Sequence, residues 1–190
     1  MNLLVEPALK RPFDLVLSLT ALVLLSPLLL VTAALIRLED GGPALFVQDR
    51  VGQNGRLFRL KKFRSMPVDT KNLPSTAAGL RITRVGTVIR RTNVDELPQL
   101  LNIVQGDMSI VGPRPALPSQ ETLLEYRRQN GADGCKPGLT GPAQVNSYDG
   151  MPEREKADWD GWYRERQSLW LDGLLILRTF GYLARRPPTY

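Results

Sequence analysis

The sequence contains no histidine, and Cys135 is its only cysteine. The absence of histidine excludes Ser-His-Asp and Cys-His nucleophilic systems, imidazole general bases and histidine metal ligands. A single cysteine excludes an internal disulfide framework and a cysteine-rich zinc site, and it indicates a reducing compartment. Any chemistry must therefore be carried by carboxylates, hydroxyls, lysines and arginines, with or without an oxygen-liganded metal.

Two common phosphate-binding signatures are also missing, because the sequence has neither a Walker A loop nor a Rossmann glycine fingerprint. No nucleic-acid-binding motif is recognisable either. The 190 residues carry a formal net charge of +6 and a pI near 9.8, which points to a polyanionic partner. Nucleic acid, an anionic bilayer and a nucleotide diphosphate all meet that requirement, and composition alone does not choose among them.

Charged residues are absent from a long stretch near the N-terminus. The run at residues 13–40 carries no charge between Leu15 and Ile36, which is about the 20 residues that a bilayer-spanning helix requires. It is too long for a signal peptide and lacks a small-residue cleavage site. A helix that is apolar on all sides is rare inside a domain this small. The run therefore predicts membrane insertion.

The flanks and the centre of this run leave two topologies open. Lys10 and Arg11 precede it and Arg37 follows it, and cationic flanks mark the cytoplasmic side of a membrane segment. Pro27 removes a backbone donor and kinks a helix, while the hydroxyl of Ser26 can satisfy a carbonyl that the kink frees. A re-entrant helix leaves the rest of the chain cytoplasmic, whereas an ordinary kinked span places it outside.

The remainder predicts a small α/β domain (α+β, mainly helical) at residues 39–190, after a membrane segment at residues 1–38. Alternating residues around a glycine-containing turn at residues 52–55 predict a β-hairpin with arms at 45–50 and 57–63.

Three helical segments are expected downstream of the hairpin. The first begins at an Asp-Glu pair and ends at Gly106, with an apolar face formed by Leu97, Leu100, Leu101 and Val104. The second ends at Gly131. The third is the C-terminal segment, whose tryptophans lie among arginines, as in helices on a membrane surface. Ordinary core packing is the alternative for this segment. Its tryptophans are Trp159, Trp162 and Trp170.

Asp95 and Glu96 form the Asp-Glu pair at the start of the first of these helices. A helix N-terminus favours negative charge through its unpaired amides and its macrodipole, so capping alone explains an isolated pair of this kind. Neighbouring residues of a helix point about 100° apart, so two functional carboxylates would take different roles. One would act on a reacting atom or a metal, and the other on a proton.

Basic residues around this pair favour a functional interpretation. Arg90 and Arg91 precede it, and Arg114 is held between Pro113 and Pro115, whose fixed backbone angles make a stiff strut. An arginine fork displayed in this way suits bidentate phosphate binding. A carboxylate that faces a phosphate needs its charge offset, which Mg²⁺ achieves with one or two carboxylates plus phosphate oxygens. Further cations on the predicted hairpin are Lys61, Lys62 and Arg64.

Four segments of the sequence form a specific arrangement behind an apolar helix with Ser-Pro at its centre. They are KFRSM, RITRVG, RRTNVDELPQLLNIVQGDMSIVGPRP and KPGLTGPAQVN. Over roughly residues 8–185, the chain resembles the bacterial sugar transferases known as monotopic phosphoglycosyl transferases. The resemblance implies transfer of a sugar-1-phosphate from a nucleotide diphospho-sugar, usually a UDP-sugar, to undecaprenyl phosphate. It also implies release of UMP, on the cytoplasmic face of the bacterial inner membrane.

The resemblance implies roles for particular residues. Asp95 matches the aspartate that acts as the covalent nucleophile, with Mg²⁺ against it, and Glu96 matches a second acid that handles a proton or supports the metal. Ser26 and Pro27 match the Ser-Pro pair of a re-entrant helix. The expected phosphate-binding residues are Lys62, Arg64, Arg90 and Arg114, and the expected further substrate-pocket residues are Gln144 and Asn146.

The sequence departs from the family pattern at two places. Ser147, Tyr148 and Asp149 follow Gln-Val-Asn where many members have Gly-Arg-Asn, so an arginine that would contact a phosphate or the sugar is missing. Pro142 stands where a bulky residue is frequent. The sequence does not identify the sugar, and an N-acetylated amino sugar is expected only from the habits of the family. It also leaves open whether the chain forms a homo-oligomer.

Two other functions compete with this hypothesis. One is a membrane-anchored, non-enzymatic adaptor whose basic surface binds anionic lipid or nucleic acid, although clustered acids would repel phosphate unless a metal intervened. The other is a glycosyltransferase that releases UDP and holds a metal with an Asp-x-Asp motif, Asp158 and Asp160. A solvated helix face explains that tripeptide equally simply.

Overall fold

A computed structural model describes residues 5–68, 81–147 and 151–183. Its first element is helix α1 (Val5–Asp40), which contains Pro27 near its centre. Pro27 has no N–H, so the carbonyl of Val23 loses its usual donor four residues ahead. The Ser26 hydroxyl donates to that carbonyl over 2.8 Å, which confirms the predicted role of this serine.

The outward side of α1 is apolar and exposed. The segment Leu9–Asp40 is long and apolar enough to cross a membrane by length and composition. Exposed side chains along it include Val23, Leu24 and Leu30, each more than 70% exposed. A contiguous apolar surface of this size marks a membrane or partner contact. We therefore describe α1 as a membrane-anchoring helix.

The inward side of α1 packs on the body of the protein near its N-terminal end. The ammonium of Lys10 lies 2.5 Å from the fully buried Asp172. The guanidinium of Arg11 donates to the carbonyls of Ile103 and Val104, over 2.5 and 2.9 Å. Two of the three cations predicted to flank the membrane segment, Lys10 and Arg11, are thus bound to protein groups.

The C-terminal end of α1 is also tied to the body. Both carboxylate oxygens of Glu39 accept backbone N–H groups, from Arg84 at 2.6 Å and Val85 at 3.1 Å. These amides open helix α2 (Arg84–Arg91), where unpaired donors need a partner. Asp40 pairs with Arg64. The helix ends at Asp40, so the predicted domain boundary after residue 38 falls inside it.

The predicted β-hairpin is confirmed. Strands β1 (Leu45–Val51) and β2 (Leu57–Phe63) pair antiparallel, with Leu45 opposite Phe63. Positive φ angles at Asn54 and Gly55 form the turn, a conformation that these residue types tolerate.

Helix α3 (Gln99–Gln105) and the hairpin are joined by a buried asparagine. Asn102 donates from its amide to the Arg59 carbonyl at 2.8 Å and accepts from Lys61 N at 3.0 Å. Leu100 and Ile103 are buried beside it, whereas Leu101 is 38% exposed. The predicted apolar face is therefore wrong at Leu101. The face is shifted because Asn102 satisfies the edge of β2.

A second small sheet completes the mainly helical α/β fold. Strand β3 (Ser109–Val111) pairs parallel with β4 (Gly138–Thr140), and helix α4 (Glu121–Asn130) lies between them in sequence. Gly106 and Gly131 end α3 and α4 at φ angles of 95° and 73°, as predicted. The main core comprises Phe58, Leu60, Leu100, Ile103, Met108, Ile110, Val111, Tyr163 and Leu175.

The C-terminal segment forms helices α6 (Glu153–Arg166) and α7 (Leu169–Leu183), after the short α5 (Pro142–Val145). Their inner faces join the core, so the core-packing alternative holds for that side. Trp159 and Trp162 are half-buried and stack edge to face, whereas Trp170 is 83% exposed. The outer side of α7 exposes Trp170, Leu174, Leu177 and Phe180. Contact of this side with a membrane surface stays a prediction.

Candidate active site

The Asp-Glu pair lies on a 3-10 turn, Val94–Glu96, between α2 and α3. The residue before this turn, Asn93, adopts a left-handed conformation with φ 55°, and Pro98 has no N–H with which to continue the turn into α3. Helix α3 therefore begins only at Gln99, so the prediction that the pair starts this helix is wrong. A 3-10 turn has about three residues per turn, so the side chains of Asp95 and Glu96 still diverge.

Glu96 is held by two cations. Its Oε1 atom accepts from Lys62 Nζ at 3.1 Å and from Arg114 Nη2 at 2.8 Å. Burial alone would raise the pKa of Glu96, but the charges and hydrogen bonds of Arg114 and Lys62 lower it to about 2. Glu96 is therefore ionised at neutral pH, and it holds together the strut that carries Arg114 and the hairpin that carries Lys62.

Asp95 is in a different electrostatic environment. Burial and the neighbouring charge of Glu96 raise the pKa of Asp95, against the opposing effects of Lys62 and Arg90. Among the described residues, no cation pairs with its carboxylate within salt-bridge distance. Environments that push two neighbouring carboxyl pKa values apart are typical of divided catalytic roles. Of the two carboxylates, Asp95 is therefore the one without an ion pair among the described residues.

The predicted phosphate-binding residues fall into two groups. Lys62 and Arg114 contact Glu96 directly, and Arg90 acts electrostatically on Asp95 while its Nε donates to Ser65 Oγ over 2.8 Å. Arg64 lies instead in the joint between α1 and β2. Its side chain is 6% exposed against Asp40, and its Nε and Nη1 atoms are buried with no hydrogen-bond partner among the residues described.

The two predicted pocket residues also differ. Asn146 donates to the Pro142 carbonyl over 2.9 Å and so closes the short helix α5. Both polar atoms of the Gln144 side chain are buried, and neither has a hydrogen-bond partner in the part of the chain that the structure covers. An unsatisfied buried amide is costly, and a strained or catalytic role or a bound water or ion would account for one. Ser147 is exposed, and Tyr148 and Asp149 lie outside the described residues.

Sequence reasoning missed Arg50, on β1. This arginine lies on the inner face of the hairpin, and its Nη1 donates to the Pro115 carbonyl over 3.2 Å. One feature of the sequence could have identified Arg50. It alternates in phase with the inward-facing residues of the predicted hairpin, and a charged side chain on that face needs a specific partner.

The Asp-x-Asp motif does not form a metal site. Asp160 is fully buried and pairs with Arg127, whose Nη2 lies 2.7 Å from Asp160 Oδ2, whereas Asp158 is exposed. No group of three or more acidic or cysteine side chains that could hold a metal occurs within residues 5–68, 81–147 and 151–183.

The Asp-Glu pair could hold magnesium only together with the phosphate oxygens of a bound substrate. Glu96 pairs with two cations, so within the described residues the pair offers a metal the carboxylate of Asp95 and no closed set of ligands. Mg²⁺ commonly binds through one or two carboxylates and completes its shell with phosphate oxygens and water. The residues present fit that pattern.

Comparison with known proteins gives one consistent result. The family model described as bacterial sugar transferase matches residues 5–186. A UDP-N-acetylgalactosamine-undecaprenyl-phosphate N-acetylgalactosaminephosphotransferase from Aeromonas hydrophila is 41% identical over 90% of this chain and 42% of its own length. An undecaprenyl-phosphate galactose phosphotransferase from Salmonella typhimurium is 37% identical over 96% of this chain and 42% of its own.

A shorter relative shows that the matched region also occurs in proteins of similar size. The uncharacterized sugar transferase EpsL from Bacillus subtilis is 41% identical over 90% of this chain and 85% of its own length. The chain thus spans less than half of some relatives and most of others. The chain belongs to the bacterial sugar transferase family.

Proposed function

We propose that the protein transfers a sugar-1-phosphate from a UDP-sugar to undecaprenyl phosphate and releases UMP, through a covalent intermediate on Asp95. The names of the Aeromonas and Salmonella relatives support this reaction class. These names specify different sugars, N-acetylgalactosamine and galactose. The family therefore leaves the sugar open for this chain.

The observation that carries the proposal is the asymmetry of the acidic pair. Glu96 is fixed by two cations at 3.1 and 2.8 Å, whereas Asp95 keeps a carboxylate without an ion pair among the described residues. A nucleophile needs available oxygen atoms, and its neighbour needs a fixed position. An adaptor that only bound anionic lipid would gain nothing from two half-buried carboxylates placed among its cations.

The proposed chemistry proceeds in two displacements. In the first, an oxygen of Asp95 bonds to the sugar-bearing phosphorus, and the bond from that phosphorus to the bridging oxygen breaks. UMP leaves with the bridging oxygen, and an acyl phosphate remains on Asp95. In the second, a phosphate oxygen of undecaprenyl phosphate bonds to the same phosphorus, and the bond to Asp95 breaks. The carboxylate is thereby restored, and the sugar is left on a lipid diphosphate.

The surrounding residues would bind and orient the phosphates. Lys62 and Arg114 lie beside Glu96, and they present donors to a diphosphate next to Asp95. Arg90 adds positive charge on the side of Asp95. A magnesium ion held by Asp95 and the substrate phosphates would supply charge neutralisation. Glu96 would act mainly by holding the two cations in place.

We further propose that α1 is re-entrant, with the catalytic body on the cytoplasmic face of the bacterial inner membrane. Both ends of the helix contact the body, through Lys10 and Arg11 at one end and Glu39 at the other. Between them, residues 23–28 are exposed except for Leu25. A helix that dips into one leaflet and returns would show this pattern, with its apex in lipid.

A donor panel tests the proposal. Solubilised protein is incubated with Mg²⁺, undecaprenyl phosphate and each of several UDP-sugars, and the released nucleotide is measured. UMP, dependent on at least one UDP-sugar, is expected from the wild type and not from Asp95→Asn. Release of UDP would support the rival glycosyltransferase. An Asp95→Asn variant with unchanged turnover would refute the covalent assignment.

A further inference from the structure

The segment that displays Arg114 has few backbone donors, because prolines flank that arginine on both sides. Pro113 and Pro115 have no N–H groups, so the usual backbone donors of this strut are missing. The Pro113 carbonyl accepts from Gly138 N over 2.8 Å, and the Ala116 carbonyl accepts from Val51 N over 2.9 Å. Backbone groups thus fix one carbonyl on each side of the strut.

The carbonyl of Pro115 is fixed differently, by a side chain. Arg50 Nη1 donates to it over 3.2 Å, and Arg50 Nη2 donates to Gln48 Oε1 over 2.8 Å. Gln48 and Arg50 are two residues apart on the same face of β1, so the glutamine orients the guanidinium. The hydrogen bond to the Pro115 carbonyl, the residue directly after Arg114, therefore depends on the side chain of Arg50.

The same guanidinium interacts electrostatically with Arg114 and Glu96. Burial and the positive charge of Arg114 lower the pKa of Arg50, and Glu96 opposes them. Arg50 Nε is buried and has no hydrogen-bond partner among the residues that the structure describes. Keeping a guanidinium in this position is costly, because it lies beside another cation with a donor unsatisfied. A specific function for Arg50 would explain why an arginine is kept at this position despite its free-energy cost.

We propose that Arg50 is a positioning residue for the reaction, which holds the Pro115 carbonyl so that Arg114 is aimed at Glu96 and at the substrate phosphate. This inference rests on the proposed function, because it assigns to Arg114 a role in binding the donor. Arg50 acts through Arg114 and need not touch the substrate. Loss of Arg50 removes the hydrogen bond that fixes the Pro115 carbonyl, although Val51 N, Gly138 N and the Arg114–Glu96 ion pair still hold the strut. Arg114 then samples orientations that do not meet the phosphate.

A double-mutant cycle on nucleotide affinity tests this dependence. The Kd of UDP, in the presence of Mg²⁺, is measured for wild type, Arg50→Met, Arg114→Met and the double variant. Arg50→Met is expected to weaken UDP binding about tenfold, since it removes a hydrogen bond from a charged donor. The double variant is expected to bind within about threefold of Arg114→Met alone, because residues that act through one another are not additive. Independent, multiplicative effects would overturn the proposal.

A measurement without any ligand tests the same contact. Hydrogen exchange of a peptide covering residues 112–118 is expected to be faster in Arg50→Met than in wild type, since the strut loses one of its attachments. Arg59→Met is the matched control. Its side chain lies on the exposed face of the same hairpin, so exchange and UDP affinity are expected to be unchanged. Equal exchange in Arg50→Met and Arg59→Met would overturn the proposal.

These experiments distinguish a failure of the proposed function from a failure of the proposed role of Arg50. If the wild type binds no UDP and releases no UMP from any donor, the proposed function fails, and the exchange result alone decides whether Arg50 holds the strut. If the wild type is active and the cycle is additive, only the role of Arg50 fails. Where Arg50→Met does not fold, Arg50→Lys replaces it, and the same loss in affinity, smaller because one donor remains, is expected.

Discussion

Replacement of Glu96 by glutamine removes the carboxylate that Lys62 and Arg114 share. The resulting loss in the free energy of unfolding can be calculated from the pKa of Glu96. Burial alone would raise this pKa, but the two cations lower it from 4.5 to about 2. Each pKa unit corresponds to about 1.4 kcal/mol between protonation states, so ionised Glu96 contributes about 3 kcal/mol to the free energy of unfolding. Because the Arg114 side chain is 52% exposed, solvent screening makes this figure an upper limit.

The sign of the pH dependence follows from the direction of the shift. The pKa of Glu96 is lower in the folded protein than in the unfolded chain, so its contribution is complete above about pH 4.5. The contribution is lost as the pH falls through about 2, where the folded-state carboxylate is protonated. Wild type and Glu96→Gln should therefore differ in stability at pH 7, and the difference should shrink on acidification.

Thermal unfolding of the solubilised protein at pH 7 and pH 3 measures this difference. At pH 7 the Tm of Glu96→Gln is expected to be lower by up to about 10 °C, given the scaling for a chain of this length. Glu125→Gln is the matched control, because Glu125 also pairs with an arginine, Arg128, but is exposed. It should melt like the wild type. A Glu96→Gln protein that melts like the wild type at pH 7, or a deficit that persists undiminished at pH 3, would refute the reasoning.

Three further predictions follow from other parts of the structure. Asp160→Asn leaves a buried arginine without its ion-pair partner and should lower the free energy of unfolding by about 3 to 5 kcal/mol in denaturant titrations. Its UMP release per folded molecule should be unchanged, and the rival metal site would predict abolished activity instead. Gln144→Leu removes a buried amide without partners among the described residues. It should leave the Tm unchanged or higher while slowing UMP release about tenfold, as measured in parallel melts and assays. In a cysteine-free background, single cysteines at residues 2 and 190 should be labelled from the same side of sealed vesicles; labelling from opposite sides would establish a span.

Local features of the fold were predictable from the sequence because they depend on neighbouring residues. The hairpin follows from alternation around a glycine-containing turn, and its strands occur as β1 and β2. The helix ends at Gly106 and Gly131 follow from the left-handed conformation that glycine tolerates. The hydroxyl of Ser26 satisfies the carbonyl that Pro27 frees. Each of these predictions needed only a few consecutive residues.

Features that depend on distant residues were not predictable in the same way. Lys10 and Arg11 resemble membrane flanks in the sequence, but the fold brings them to Asp172 and to the end of α3. Arg64 resembles a phosphate ligand, but the end of α1 supplies Asp40 as its partner. No local pattern reveals that a cation already has a carboxylate more than twenty residues away.

The acidic pair was found from the sequence, while its electrostatic asymmetry required the structure. The two residues are neighbours, so their types and spacing left the division of roles open, and only the family resemblance assigned the nucleophile to Asp95. Lys62 and Arg114 reach Glu96 from the hairpin and the strut. The difference between Asp95 and Glu96 arises from that convergence.

Mass spectrometry of the protein after exposure to donor alone tests the central claim most directly. With a UDP-sugar that supports turnover, Mg²⁺ and no lipid acceptor, a mass increase equal to one phosphosugar is expected, located on a peptide that contains Asp95. Addition of undecaprenyl phosphate should remove it. The contrary result is an unmodified mass after exposure to donor alone, from a protein that releases UMP at the normal rate once the lipid acceptor is added. That result would show that Asp95 does not carry the phosphosugar, and it would contradict the covalent mechanism.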